Sequence, residues 1–122
     1  MGDRANIVVR SSTKQIDDVW FYAHWRGEEV HDVVKNVLAR RERQDDAPYL
    51  ARMIFCELVK GNEADSTGFG ISTSLNDNEH DIVIVDIPAK LVYTLHENEL
   101  VNNRLPDNYK PRKANSKSFD SF

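Results

Sequence analysis

The sequence has a single cysteine, Cys56. No intramolecular disulfide and no multi-cysteine zinc site can therefore form. Long hydrophobic runs are also missing. The longest candidate, DIVIVDIPAKLV, carries charges within it, so no segment reads as a membrane-spanning helix. The opening residues, MGDRANIVVR, lack the apolar stretch of a secretory signal. Met1-Gly2 is no myristoylation motif either, because Asn6 stands where Ser or Thr is required. A cytoplasmic location is the resulting expectation. Positive charge is scarce over most of the chain. Residues 103–122 carry Arg104, Lys110, Arg112, Lys113 and Lys117 against Asp107 and Asp120, a net of +3, and with −4 for the whole chain this leaves −7 on residues 1–102. Duplex binding needs Lys and Arg to displace counterions, so nucleic acid is not an expected partner of such a body.

What is present is enough for one modest core: 122 residues with 40% hydrophobic content. Ile7, Val8 and Val9 signal a strand, RSSTKQ a loop, and VWFYAHW a second strand in which Val19, Phe21, Ala23 and Trp25 alternate with Trp20, Tyr22 and His24. From Gly27 the period changes. Val30, Val33, Val34, Val37 and Leu38 fall on one stripe of an amphipathic helix, with Glu28 and Glu29 at its start and Arg40, Arg41 and Arg43 beyond its end. Four valines disfavour a helix by propensity, so packing must hold it.

A second helix is bounded by Asp45 or Asp46 as cap, Pro48 in the first turn and Gly61 after the last periodic residue. Leu50, Met53, Ile54 and Leu58 form its buried stripe, widened by Phe55 and Cys56, which places the thiol in a buried, unreactive setting. GFGIST, DIVIVDI and LVYTLHE follow as strands, the middle one apolar on both faces and so central. The order ββααβββ describes a single α+β domain over residues 1–102, with two helices on one face of a mainly antiparallel sheet of about five strands. Residues 103–122 read by composition as a basic, aromatic-containing C-terminal tail.

Several segments in fixed order, MGDRANIVV, YAHWRGEEV, YLARMIFCELV, TGFGIST and DNEHDIVIVD, resemble a family of small proteins encoded by tailed phages and by bacterial genomes, a family without an assigned activity. The likeness spans roughly residues 1–86 and leaves out RSSTKQIDD and the tail. It implies a phage or prophage setting and supplies no catalytic residue.

Five residues form a candidate ligand site. His24, Trp25 and Arg26 sit where the second strand runs into the first helix, whose free N–H groups favour anions. Alternation along the strand should bury one of His24 and Trp25 and expose the other. Gly68 and Gly70 leave one face of GFGIST bare, open to an approaching ring such as that of Trp20 or Tyr22. A nucleotide would suit this corner, with tryptophan on the base and arginine on phosphate. Packing explains the same residues without a ligand. Asp77, Glu79, His80 and Asp81 lack the spacing of a calcium loop or a zinc motif. A zinc site would require His24, His80 or His96 to converge with Asp86. No catalytic set assembles in the sequence, and no cofactor or metal is expected.

In the tail, Tyr109, Phe119 and Phe122 interleave with Lys110, Arg112, Lys113 and Lys117, a composition suited to docking on an acidic protein surface or on single-stranded nucleic acid. A solubilising tail, or one folded back on its own acidic body, has the same composition. Arg40, Arg41 and Arg43 would join it in a nucleic-acid surface only if the two basic segments met on one face. The favoured expectation is a non-enzymatic binding protein, a phage accessory factor acting on a host or bacterial protein or defence component. The alternative is a small nucleotide-binding or nucleotide-processing protein with its pocket at His24, Trp25 and Arg26. An exposed apolar patch or an ordered tail would favour the first, and a concave pocket at that corner the second.

Overall fold

The computed structural model describes residues 2–122. Alternating apolar residues build β1 (Ala5–Arg10) and β2 (Asp18–Ala23), paired antiparallel with Val8 opposite Trp20. After a 3-10 turn at Gly27–Glu29 come α1 (Val30–Leu38) and α2 (Ala47–Val59), then β3 (Phe69–Ser72), β4 (Ile82–Asp86), β5 (Leu91–Leu95) and a three-residue β6 (Ser116–Ser118). All lie in one sheet, in the order β3-β2-β1-β4-β5-β6. Four pairings are antiparallel and β1–β4 is parallel. The fold is α+β, as expected, with a sixth strand drawn from residues 103–122. No helix among the described residues is long and apolar enough to cross a membrane.

Strand alternation sorts the side chains into two cores. Ala5, Ile7, Val9, Phe21, Val83, Val85 and Val92 face the helices and meet the expected α1 stripe together with Leu50, Met53, Ile54 and Leu58 of α2. Cys56 does not join them. It is exposed, because two residues beyond Ile54 is about 200° around a 3.6-residue helix, the far side from the core. On the sheet's back face, Val8, Trp20, Ile82, Ile84, Tyr93 and Leu95 are covered by irregular chain, with Leu105 fully buried and Leu75, Leu100 and Tyr109 packed against them. This explains how β4, buried at every position, is central although both helices lie on one face.

Six strands spaced about 4.8 Å apart span about 24 Å, whereas two helices about 10 Å apart cover about 20 Å. The shortfall falls at β5 and β6 and is filled by the end of the chain. Phe119 is 2% exposed within the helix-side core, and its N–H bonds to Lys90 O at 3.0 Å. Arg41, in the connection between α1 and α2, donates to the carbonyls of Phe119, Asp120 and Phe122. Residues 103–122 thus cross the back face, return along β5 and end against α1.

Candidate functional site

The corner at His24–Arg26 is built differently from a continued strand. β2 stops at Ala23, so alternation ends there, and neither neighbour is buried: His24 is half-buried and Trp25 is 50% exposed. His24 Nδ1 lies 2.9 Å from the Tyr22 hydroxyl, and its ring stands edge-on to Trp25. Trp25, rather than Trp20 or Tyr22, lies over Gly68. A Cβ there would come within 2.1 Å of the indole, and φ is +101°, so this position requires glycine twice over. Gly70 has nothing above it within 4 Å. Arg26 turns away from the corner. Its guanidinium donates to Leu58 O at 2.8 Å and Glu57 O at 3.3 Å, the last carbonyls of α2, and pairs with Glu29 at 3.1 Å. A cation on those carbonyls satisfies the helix end, so Arg26 ties the β2–α1 corner to α2. Five concavities among the described residues are lined by other residues.

The histidines and Asp86 stay apart. His96 accepts from Asn98 N as a turn cap, and Asp86, 5% exposed, accepts from the Tyr93 hydroxyl at 2.7 Å. His80 Nε2 meets Asp3 Oδ1, while Asp3 Oδ2 accepts from Glu28 N at 2.9 Å. No group of three His, Cys, Asp or Glu among the described residues is placed to hold a metal ion. The hydrogen bond from His80, and next that from Glu28 N–H, hold the Asp3 carboxyl below its ordinary value of 3.8. The sign follows by linkage. Ionised Asp3 favours the folded state, a contribution fully present above 3.8 and lost as pH falls through the lower folded value. Replacing Asp3 with Asn is expected to flatten this part of the acid limb, measured as melting temperature between pH 5 and about 2. An unchanged slope would place the titration elsewhere.

Most of the tail's candidate binding residues serve the fold. Tyr109 stacks on Tyr93 with ring centres 5.8 Å apart, Arg112 pairs with Glu99, and Phe122 is half-buried beside His31. Phe119 is in the core, and only Lys110 and Lys113 of the set stand exposed without a partner among the described residues. The arginines after α1 are likewise engaged: Arg40 with Glu42, Arg43 with Asp46 and over the Tyr49 ring, and Arg41 with the chain end.

What sequence reasoning missed lies between α2 and the sheet edge. Val19, Phe21, Pro48, Ala51, Phe55 and Ile71, together with Arg52, line a mostly apolar groove of about 310 Å³. A second concavity of about 300 Å³ adjoins it through Val19, Pro48 and Ala51. Ile71 is 63% exposed beside the groove. β3, which carries Ile71, is an end strand, paired only with β2. His24 N donates to Gly68 O at 2.8 Å. By the period of two, the backbone groups of Gly70 and Ser72 also face β2, and those of Phe69 and Ile71 face outward.

Natural edge strands are ordinarily blunted by charge, proline or shortness. β6 is three residues long and carries Lys117. β3 is also short, at four residues, but carries neither charge nor proline: from Ser66 to Asn76 no side chain is charged, in a chain that is 30% charged. That uncharged run was the available signal in the sequence. In comparisons with known proteins, no family model, no curated protein and no solved structure matches the chain.

Proposed function

We propose that the protein is a binding protein, and that it engages another protein by accepting an extended segment along the outer edge of β3. Unpaired backbone groups of Phe69 and Ile71 would supply main-chain hydrogen bonds. The groove under Phe55, Ala51 and Ile71 would take the segment's apolar side chains, the usual division of labour in strand addition. The observation that carries the proposal is the uncharged end strand beside an apolar groove. The rest of the molecule, net −4, disfavours indiscriminate association. The sequence resemblance supports a phage or prophage setting, in which the partner is a host or bacterial protein or a defence component and the effect is to occupy it. The nucleotide reading at His24–Arg26 would need a free arginine, whereas Arg26 is engaged with the end of α2.

The test is retention from a bacterial lysate on immobilised protein. Wild type is expected to hold one stoichiometric protein. Ile71→Lys, which places a charge on the exposed edge without disturbing the core, is expected to lose it. A Lys110→Glu/Lys113→Glu variant is expected to keep it. Loss in the lysine variant with retention by Ile71→Lys would move the surface to the tail and overturn the assignment.

A further inference from the structure

The back face of the sheet carries a concavity of opposite character, about 590 Å³ in volume, whose polar lining comes from Tyr22, Asn76, Asp77, Asn78, Glu97 and Asn103. Its walls are fixed in advance. Asn6, fully buried, donates from Nδ2 to the Asp77 carbonyl and to Asn78 Oδ1, each at 3.2 Å, and its Oδ1 accepts from Asn76 N at 3.3 Å. Leu75 N bonds to Asn103 O at 2.9 Å and joins the two sides. A buried amide with its donors and acceptor spent on one loop sets that loop's shape without help from a ligand.

The lining combines two carboxylates with asparagine amides, which both donate and accept, and the Tyr22 phenol. Asp77 and Glu97 are the only charged side chains of the lining, and neither forms an ion pair among the described residues. Tyr22 adds a half-buried ring. Burial first, and then the Asp77 charge, push its hydroxyl above the ordinary value of 10.0, so the phenol stays neutral and Asp77 is near enough to act on it. Arg4, the basic group that acts on Tyr22, is directed to Glu79 at 4.0 Å. Arg104 follows Asn103 in the chain and is exposed, outside the lining.

The two carboxylates disfavour an anion, and the polar lining disfavours an apolar ligand. A planar organic cation fits what remains, since a guanidinium can bridge carboxylates and amide oxygens in its plane while its face meets an aromatic ring. We propose that this pocket binds an alkylguanidinium group, carried either by a small molecule or by an arginine side chain of a partner. It stands independently of the β3 edge.

The test is a titration followed by backbone amide spectra, with agmatine and the tripeptide Gly-Arg-Gly as probes and N-acetylglucosamine as the neutral control. Agmatine is expected to give saturable shifts confined to Tyr22, Asn76–Asn78, Glu97 and Asn103. An Asp77→Asn/Glu97→Gln variant, altered only at exposed side chains and so still folded, is expected to bind about tenfold more weakly or worse, the loss of a charge-assisted bond. Tighter binding of Gly-Arg-Gly than of agmatine would assign the group to a protein partner, and the reverse to a small molecule. The proposal is overturned if neither cation saturates, if the double variant binds them equally well, or if N-acetylglucosamine alone shifts these amides.

Discussion

Arg10→Met is expected to lower the unfolding free energy by about 3–5 kcal/mol, as breaking one side of a buried ion pair does. Arg10 is 1% exposed and Asp18 is 3% exposed. The pair is bidentate, Nε to Oδ1 at 2.9 Å and Nη2 to Oδ2 at 2.8 Å. The same guanidinium donates to Pro106 O at 3.1 Å and Leu105 O at 3.3 Å, so it also fastens residues 103–122 to the sheet. Methionine would leave Asp18 without its countercharge and two carbonyls without a donor. Even with Arg10 in place, burial outweighs the arginine and holds the Asp18 carboxyl above its ordinary 3.8. A folded value above the unfolded one means that ionised Asp18 costs stability, a cost absent below 3.8 and fully incurred once pH has risen through the folded value. The single variant should therefore regain stability on mild acidification. The double variant Arg10→Met/Asp18→Leu should recover most of the loss, because replacing a buried ion pair by apolar groups is often neutral. Urea denaturation of the parent, the single variants Arg10→Met and Asp18→Leu, and the double variant decides it, and a double variant as unstable as the sum of the singles would refute the account.

A comparable loss, about 3–5 kcal/mol, is expected for Phe119→Ala, the usual range for removing a buried phenylalanine ring. Truncation after Asn102 goes further. It removes the Leu105 and Tyr109 cover of the back face, the β6 ladder and the Phe119 plug together. Set against a typical total stability of 5–15 kcal/mol, that loss should abolish the cooperative transition. Thermal melts followed by circular dichroism check both variants. A truncated chain that melts cooperatively near the parent's temperature would show that residues 1–102 fold on their own.

The contrast between those last twenty residues and the rest marks how far the sequence could be read. Elements with a period were legible: the α1 valine stripe, the β1–β2 alternation and the doubly apolar β4 each appear where spacing placed them. Leu105, Tyr109 and Phe119 are single apolar residues in polar surroundings. They reach the core through irregular chain, which imposes no period, so composition alone left open whether the tail is free or folded back. Cys56 was misplaced because an apolar run of a helix hides which of its members faces outward. The His24–Trp25 corner was misread because alternation was carried two residues past the strand's end. Asp3 and His80, 77 positions apart, and the ties of Arg10 to Asp18 and to Leu105 depend on register and on chain return, which no local pattern encodes. Among the candidate site residues, both glycines were expected to lie under a ring such as Trp20 or Tyr22, whereas Gly68 lies under Trp25 and Gly70 under nothing within 4 Å, and Arg26 caps α2.

Hydrogen exchange on the complex with the protein retained by wild type tests the central claim most directly. The outward amides of Phe69 and Ile71 should exchange fast in the free protein and become protected in the complex. The inward amides of Gly70 and Ser72, already bonded to β2, should change little. Protection confined to residues 109–113 or to His24–Arg26, with Phe69 and Ile71 unchanged, would contradict strand addition at β3.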